Sequence, residues 1–296
     1  MRRRGFLGMA LAVGAAALTE GCVTISPLAT SGGFPVDSKV DLVQSQTWTR
    51  MKARQGNTGQ IVIGVKADQP GLGYYDSNTN TYSGFDILVA QLVAAGLGFS
   101  ASQIEFTTVA SEDRETELED GTLDLVIASY SYTPERAKLV DFAGPYLLTP
   151  EAIMVARDNT SITGLSSITP DTTACEVSNS TAYTVGDVQM QNPIAKNTYS
   201  ECATAVKAGA AKFVYTDYAL LLGYAHQDPA DFKVIDTGES VQQYAIGLPL
   251  GDDALKNAVN AILSTAIKNG TWRAIFNATL GPEGFTASPP VVGDFT

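Results

Sequence analysis

The chain has 296 residues, and 45% of them are hydrophobic. This length supports two modest cores, because a single core rarely grows past the size of one domain. The formal charge of -12 argues against a nucleic-acid-binding surface, which needs an excess of Lys and Arg to release counterions from phosphates. An acidic protein that binds an anion must therefore build its positive charge locally.

The first 22 residues have the composition of an export signal. A basic start precedes about 14 mostly apolar residues, which is the length of a signal-peptide core and too short to span a bilayer comfortably. Arg3, Arg4, Phe6 and Leu7 resemble the twin-arginine export motif. An ordinary secretory signal is the alternative.

Cys22 lies at the end of the apolar run, directly after Gly21, where a bacterial lipoprotein carries its lipid-modified cysteine. Thr19 and Glu20 depart from that signal, which usually has an apolar and a small residue there. We predict a diacylglyceryl anchor on Cys22 that holds the protein at the membrane surface. A secreted protein without lipid is the alternative. Residues 23–58 are rich in Ser, Thr, Gly and Pro, which predicts a flexible tether.

From residue 61 onward, short apolar runs alternate with helical patterns, which indicates βαβ units and a parallel sheet. The first block includes a helix predicted from Phe85 to Leu97, ended by Gly96 and Gly98. The second block includes strands over 173–177, 211–216 and 232–236, a helix from about Thr181, and a helix from Tyr218 to Ala225.

Two strand runs, at 151–156 and 242–248, flank the second block and predict two crossings between lobes. A long helix over about 252–269 and the stretch behind it are expected to return to the first lobe. We therefore predict an α/β fold of two lobes, each a mixed sheet flanked by helices, joined by two crossing strands. The predicted domains are lobe 1 over residues 59–153 and 244–282, lobe 2 over 154–243, and an exposed tail over 283–296. Ligands of such sheets bind at the carboxyl ends of strands, so the cleft between the lobes is the expected site.

Cys175 and Cys202 both fall in the second block. In an exported protein they are expected to form a disulfide, with two buried thiols as the alternative. Closing a loop of about 28 residues would stabilise the fold by roughly 3 to 4 kcal/mol. The single histidine, His226, cannot supply the His and Cys cluster of a zinc site. We expect it on the surface, and we expect no metal and no cofactor.

Three polar side chains follow the end of an apolar strand: Ser129, Ser131 and Arg136. Hydroxyls and a guanidinium fork together suit a carboxylate, because Arg offers paired donors in one plane. The alternative is a surface ion pair of Arg136 with Asp141 or Glu135.

Three stretches resemble the family 3 extracellular solute-binding proteins of amino-acid ABC transporters: GFDILVAQL, TPERAKLVDFAGPY and GLPLGDDALKNAVN. The resemblance covers about residues 58–282. IGVKADQPGLG, SEDRET and the cysteine pair are similar to the glutamate-binding lipoproteins of actinobacteria. This likeness implies a type II periplasmic-binding-protein-like fold. It also implies an exported, monomeric, non-enzymatic lipoprotein at the outer face of the cytoplasmic membrane, which delivers an amino acid, preferably acidic, to a permease.

The resemblance also implies roles for residues of both lobes. Arg136, Ser131 and the main chain of Ser129 would hold the α-carboxylate of the ligand, and Asp217 would bind its α-ammonium. The stretch 178–181 would present hydroxyls and helix N-terminal amides from the second lobe, and Ser180 and Thr181 are its candidate ligand contacts. Alternatively, Asp217 and Ser180 are only helix caps.

The same likeness assigns the distal carboxylate of an acidic ligand to Lys66, Ser111 and Arg114. These residues would supply the local positive charge that an acidic protein needs, since its overall field is screened beyond a Debye length of about 8 Å. The alternative for Arg114 is an ion pair with Glu112 or Glu117 on its own helix.

An aromatic wall over the ligand's aliphatic stem is expected from Tyr74 or Tyr75. The alternative is that either tyrosine packs only within its loop. Four residues that we place near the cleft depart from the family pattern: Leu88, Tyr130, Tyr132 and Asn179.

Two other functions are compatible with this fold. One is an enzyme similar to the cyclohexadienyl dehydratases, which would need a general acid and a general base in the cleft. The other is a sensory module that binds a ligand without transport.

Overall fold

The computed structural model describes residues 33–181, 184–185 and 188–295, except for the side chains at 184, 185 and 239. The predicted signal peptide, the twin-arginine motif and Cys22 lie outside the described residues. No helix of the described part is long and apolar enough to cross a membrane.

The described chain contains seven α-helices and thirteen strands. The helices are α1 (Gln46–Asn57), α2 (Phe85–Gly96), α3 (Arg114–Glu119), α4 (Tyr199–Lys207), α5 (Tyr218–Gln227), α6 (Asp253–Lys268) and α7 (Thr271–Ala278). The strands are β1 (Ile61–Val65), β2 (Asp68–Gln69), β3 (Gly73–Asp76), β4 (Thr81–Ser83), β5 (Ile104–Thr108), β6 (Leu125–Val126), β7 (Asp141–Ala156), β8 (Ala174–Val177), β9 (Thr184–Val185), β10 (Val188–Gln189), β11 (Ile194–Lys196), β12 (Phe213–Asp217) and β13 (Phe232–Leu248).

Eight strands form one mixed sheet in the order β11-β8-β12-β7-β13-β6-β1-β5. At one end β1 pairs in parallel with β5 and β6, and at the other end β8 pairs in parallel with β11 and β12. β7 and β13 lie antiparallel in the middle. This arrangement confirms the predicted α/β class with parallel βαβ units at both ends of the chain's sheet.

The two long central strands connect the two halves of the sheet. β13 pairs with β7 in two stretches, separated by a break in register between Asp236 and Val241. β12 pairs with the far end of β7, from Glu151 to Val155, whereas β6 pairs with the end of β13 at Gly247. These are the two crossings that the sequence predicts, and the fold is two-lobed. The predicted boundaries after residues 153 and 243 fall inside these strands and stay predictions.

Helix α2 anchors the core of lobe 1. It begins after Gly84, whose φ of 116° and close approach to the Leu72 carbonyl leave no room for a Cβ. Phe85 then packs edge-on against Trp272 of α7, with ring centroids 5.9 Å apart. The C-terminal helices therefore return to lobe 1, as predicted.

The tether predicted over residues 23–58 is wrong for helix α1. The hydroxyl of Ser45 accepts a hydrogen bond from the Trp48 amide at 2.9 Å and donates one to Asp252 at 2.8 Å. Two arginines of α1 form ion pairs with the buried carboxylate of Asp124. The helix is fixed by a cap and by ion pairs rather than by an apolar stripe, which explains why its hydrophobic pattern is weak.

The exposed tail predicted over residues 283–296 is also wrong in part. Phe285 is buried in the lobe 1 core. Near the end of the chain, the ring of Phe295 stacks on Tyr132 with centroids 4.5 Å apart. Aromatic side chains within this Pro-rich segment give it apolar area to bury against the lobe.

The helix predicted from about Thr181 is wrong. The described residues after Thr181 form two short antiparallel strands, β9 and β10. The next described helix is α4.

The predicted disulfide is confirmed between Cys175 of β8 and Cys202 of α4, whose Cα atoms lie 5.4 Å apart. It fastens α4 to the sheet of lobe 2. His226 is exposed in the last turn of α5, as expected. No cluster of potential metal ligands occurs among the described residues.

Candidate functional site

A small cavity lies between the lobes, where several strands end. Its lining consists of Ser111, Arg114, Ser129, Ser131, Arg136, Ser180, Thr181, Tyr199 and Asp217. All the predicted site residues except Lys66 and Tyr74 are therefore brought together. The enclosed space is about 10 Å³, which is room for roughly one water molecule, so the lobes are closed on each other.

Arg136 spans the cleft. Its guanidinium donates to the Ser131 carbonyl at 2.8 Å and, from the other side, to the Asn179 carbonyl at 2.8 Å. Its Nε atom lies 3.4 Å from a carboxylate oxygen of Glu115. The alternative of a surface pair with Asp141 is not formed, because Asp141 pairs with a lysine of α6. Arg136 is thus a buried cleft residue whose fork faces both lobes.

Arg114 is 3% exposed and is held by protein carbonyls and an aromatic ring. Its Nε donates to the Ser111 carbonyl at 3.1 Å, and its guanidinium lies 4.3 Å from the ring centroid of Tyr130. Burial, followed by repulsion from Arg136, lowers its pKa to about 10. Within the described part of the chain Arg114 forms no ion pair, so the alternative of pairing along its own helix is not realised.

Lys66 lies immediately after β1, next to the cleft cavity. Its ammonium donates to the Val109 carbonyl at 2.8 Å and to the Ser111 hydroxyl at 3.0 Å. Burial, followed by repulsion from Arg114, lowers the pKa of Lys66 to about 7. Lys66 lines an adjoining cavity of about 310 Å³ that shares Ser111 and Tyr199 with the first one. It therefore reaches the cleft through Ser111.

Asp217 ends β12 and lines the cavity, and one of its carboxylate oxygens has no hydrogen-bond partner among the described residues. Tyr244 donates its hydroxyl to Oδ2 at 2.6 Å, while Oδ1 is buried without a hydrogen-bond partner. Burial is the main reason that the pKa of Asp217 rises to about 7, and the nearby carboxylate of Glu151 adds to it. A buried carboxylate oxygen without a donor is costly, which is typical of a site that a ligand completes.

The alternative role of Asp217, as a side-chain cap of α5, is not observed. Asp217 occupies the N-cap position, but its carboxylate makes no capping hydrogen bond. The Ala219 amide donates instead to the hydroxyl of Thr149 on β7, at 3.0 Å. Because Thr149 satisfies the helix end, the carboxylate of Asp217 stays available in the cleft.

The loop of lobe 2 places Ser180 and Thr181 at the cavity, and the described residues at 184–185 and 188–189 that follow are strands. The Ser180 amide donates to the Val177 carbonyl at 3.0 Å, and Asn179 adopts a φ of 55°. The Ser180 amide is therefore not available as one of the predicted helix N-terminal amides. The lobe contributes hydroxyls and the Asn179 carbonyl to the site.

The main-chain amide of Ser129 is not aimed at the cavity. It donates to Oδ2 of Asp86 at 2.7 Å, so it is not free to bind a ligand carboxylate. Tyr74 lies on β3 and is not among the described residues that line the cleft cavity. Tyr75 packs in its own hairpin, with its ring 4.9 Å from that of Tyr82.

A family model supports the likeness at the level of the whole fold. The model of bacterial extracellular solute-binding proteins, family 3, matches residues 61–282. The chain belongs to this family.

The chain is similar in sequence and structure to several amino-acid-binding proteins. It is 34% identical over 252 residues to a glutamate-binding protein of Corynebacterium glutamicum, covering 80% of this chain and 84% of the relative. It is 32% identical to a glutamine-binding protein of Geobacillus stearothermophilus, covering 64% of this chain and 72% of the relative. Among solved structures, the solute receptor for L-cysteine of Neisseria gonorrhoeae superposes with a TM-score of 0.68 at 29% identity, covering 75% of this chain and 90% of the receptor. Because the family is one of extracellular solute-binding proteins, this protein acts outside the cytoplasm as a solute-binding protein and not as an enzyme.

Several residues of the family 3 site escaped the sequence analysis. Tyr199 lines both cavities. Glu115, which lies beside Arg136, accepts a hydrogen bond from the Tyr130 hydroxyl at 2.6 Å. Asp86 is buried in α2. Of these, only Asp86 gives a sequence signal, because it is the single charged residue of the segment FDILVAQLVAAG.

The departures from the family pattern fall in different places. Tyr130 does not fill the cleft, since its ring lies beneath the guanidinium groups of Arg114 and Arg136. Tyr132 faces Phe295. Leu88 lines a separate cavity on lobe 1, so its expected position near the cleft is wrong.

Proposed function

We propose that this protein captures a free acidic amino acid, glutamate or aspartate, between its lobes for import by an ABC transporter. The observation that carries the proposal is the unpartnered, buried Oδ1 of Asp217 in a cavity that also contains the fork of Arg136. A carboxylate without a donor suits an ammonium, and a guanidinium suits a carboxylate. A single α-amino acid supplies both groups.

We propose that the α-carboxylate binds Arg136 together with Ser131, and that the hydroxyls of Ser180 and Thr181 complete the contact from lobe 2. The guanidinium of Arg136 now donates to the Asn179 carbonyl across the cleft. A ligand needs more space than the closed cleft has, so it enters when the lobes part and replaces this contact on closure. Closure excludes water and strengthens charge-assisted hydrogen bonds.

The acidic preference rests on the balance of charge in the cleft. Among the described residues that line the cleft cavity, two side chains are basic, Arg114 and Arg136, and one is a carboxylate, Asp217. Lys66 and Arg114 form no ion pairs within the described part of the chain, and both have lowered pKa values because they are buried. A ligand with one net negative charge neutralises this excess. The corynebacterial relative, named a glutamate-binding protein, supports the same class.

The deciding experiment is isothermal titration calorimetry of the purified protein with glutamate, aspartate, glutamine and asparagine. We expect glutamate or aspartate to bind with a dissociation constant on the order of micromolar, about -8 kcal/mol, and the amides to bind more weakly. Arg136→Ala should abolish binding of all four ligands, and Lys138→Ala, an exposed cation of the same turn, should change nothing. Undiminished affinity in Arg136→Ala would contradict the site.

One variant, measured with two ligands, tests the preference for an acidic ligand. Lys66→Met should weaken binding of glutamate far more than binding of glutamine, because it removes a positive charge and keeps most of the side-chain volume. Preference of the wild-type protein for the amides would overturn the acidic assignment while leaving the roles of Arg136 and Asp217 intact. Tyr74→Ala tests the predicted aromatic wall, and an unchanged affinity would reduce Tyr74 to loop packing.

We propose further that the protein is a monomeric lipoprotein anchored through Cys22 at the outer face of the cytoplasmic membrane, where it docks on a permease. Cys22→Ala should release the protein from the membrane fraction into the medium. Replacing Arg3 and Arg4 together with lysines tests twin-arginine export, since only that route requires the paired guanidinium groups. Export that continues in the lysine variant would indicate an ordinary secretory signal.

A further inference from the structure

Helix α2 contains a carboxylate that the proposed ligand contacts do not use. Asp86 is fully buried in the second position of a helix that is otherwise apolar or neutral. Its described hydrogen bonds come from Ser129 and Tyr146, which both lie outside α2. A buried carboxylate is unfavourable unless hydrogen bonds compensate for the lost water, so its presence in the core of lobe 1 needs a specific reason.

Both oxygens of Asp86 accept hydrogen bonds. The Ser129 amide donates to Oδ2 at 2.7 Å, and the hydroxyl of Tyr146 donates to Oδ1 at 2.9 Å. The first of these contacts joins α2 to the segment that follows β6. That segment reaches the ligand cavity two and seven residues further on, with Ser131 and Arg136.

Ser129 is held in an unusual conformation. Its φ of 44° lies in the left-handed region that residues other than glycine rarely adopt. Ser129 and Ser131 both line the cavity, while the Ser129 amide donates to Asp86. Such strain persists only where the surroundings impose it, and it concentrates at binding sites.

We propose that Asp86 is a positioning residue of the binding site, which holds Ser129 in its left-handed conformation and thereby sets the direction in which Ser129 and Ser131 face the ligand. A charge-assisted hydrogen bond from a main-chain amide is stronger than a neutral one, and here the donor is the amide of the residue that has the positive φ. The proposal rests on the proposed function insofar as the ligand is an amino acid.

The test compares two substitutions of Asp86 by calorimetry with L-glutamate. Asp86→Ala removes the acceptor, so we expect the dissociation constant to rise about tenfold or more. Asp86→Asn keeps an oxygen that the Ser129 amide can reach, and we expect a dissociation constant within about threefold of the wild type. A merely structural role would lower the melting temperature in both variants and leave the dissociation constant unchanged, which would overturn the proposal.

Asp124 supplies a matched control in the same lobe. It is also a fully buried aspartate and accepts hydrogen bonds from two arginines of α1 and from the Val62 amide, but it does not line the cleft cavity. Asp124→Ala should lower the melting temperature without changing the affinity for glutamate. An equal loss of affinity in Asp124→Ala and Asp86→Ala would show that any loosening of lobe 1 has this effect.

A measurement without ligand separates this proposal from the proposed function. Hydrogen exchange of the Ser129 amide should be slow in the wild type and in Asp86→Asn, and fast in Asp86→Ala. Fast exchange in the wild type would overturn the positioning role even if every variant bound glutamate. Failure of the wild type to bind glutamate would instead count against the proposed ligand, and the exchange rates would still decide the role of Asp86.

Discussion

Tyr244 of β13 donates its hydroxyl to Oδ2 of Asp217 at 2.6 Å, and the other carboxylate oxygen, Oδ1, stays buried without a partner among the described residues. One crossing strand thus orients the carboxylate of the opposite lobe. The tyrosine satisfies only one of the two carboxylate oxygens, and Asp217 lines the same cavity as Arg136. An ammonium is the natural donor for the remaining oxygen.

Asp217→Asn should separate binding from stability. We expect the affinity for glutamate to fall by about a hundredfold or more, because an amide cannot form a charge-assisted bond with the ligand ammonium. The folded protein binds a proton at Asp217 with a pKa of about 7 against an ordinary 3.8. The unfolded chain therefore ionises first, and wild-type stability falls as pH rises from about 4 to 7.

The Asp217→Asn variant should not lose stability between about pH 4 and 7, because its amide does not ionise. Thermal unfolding without ligand should show Asp217→Asn more stable than the wild type above pH 7, with the difference vanishing toward pH 4. A variant that is less stable at every pH would contradict the assignment of an unsatisfied buried charge.

Binding of glutamate should depend on pH in two opposite directions. Asp217 must be ionised to hold the ammonium, so affinity falls as pH drops below its pKa of about 7. Lys66 must be protonated to hold a distal carboxylate, so affinity also falls as pH rises above its pKa of about 7. Each limb is limited to about tenfold per pH unit, since one proton is involved.

Calorimetry between pH 5 and 9 would reveal the two limbs as a maximum near neutrality. Lys66→Met should lose the alkaline limb with glutamate and keep the acidic one. If the alkaline limb survives in Lys66→Met, Lys66 does not contact the ligand.

Thr149→Val should affect both helix α5 and the ligand. The Thr149 hydroxyl is the acceptor for the Ala219 amide, and losing a cap of this kind costs about 1 kcal/mol. The carboxylate of Asp217 would then turn toward the uncapped helix end, which weakens binding. Chemical denaturation and calorimetry measure the two effects, and Thr149→Ser, which keeps the hydroxyl, should resemble the wild type in both.

Removing the disulfide should weaken lobe 2 selectively. Replacing Cys175 and Cys202 with serines lengthens the free loop of the unfolded chain, and we expect a loss of about 3 kcal/mol in unfolding free energy. Reductant should lower the melting temperature of the wild type by as much as the double serine substitution does. Reductant should not affect the variant further.

The sequence predicts the helices and strands best where a periodic apolar pattern coincides with burial. Helix α2 is an example, because nearly all of its length contributes to the lobe 1 core. Helix α1 was missed because capping and the ion pairs with Asp124 hold it, and these join residues about 70 positions apart. Local pattern carries no trace of such contacts.

The binding residues were predictable mainly through family likeness, and the structure places most of them around one cavity. Their detailed roles were not predictable. The conformation of Ser129 depends on Asp86, which lies 43 residues earlier in the chain, and the availability of Asp217 depends on Thr149, which is 68 residues away by sequence number. Such pairings follow from the tertiary packing of distant segments and not from any local motif.

The strands β8, β11 and β12 lie between the two crossing strands along the chain, and this order also affects biosynthesis. All three strands come from one continuous stretch of chain, whereas β1, β5 and β6 require the end of β13 to complete their side of the sheet. During synthesis the second lobe can therefore assemble while the first still waits for its last partner strand. Nascent chains truncated before β13 should consequently expose the unpaired edge of β6 to chaperones.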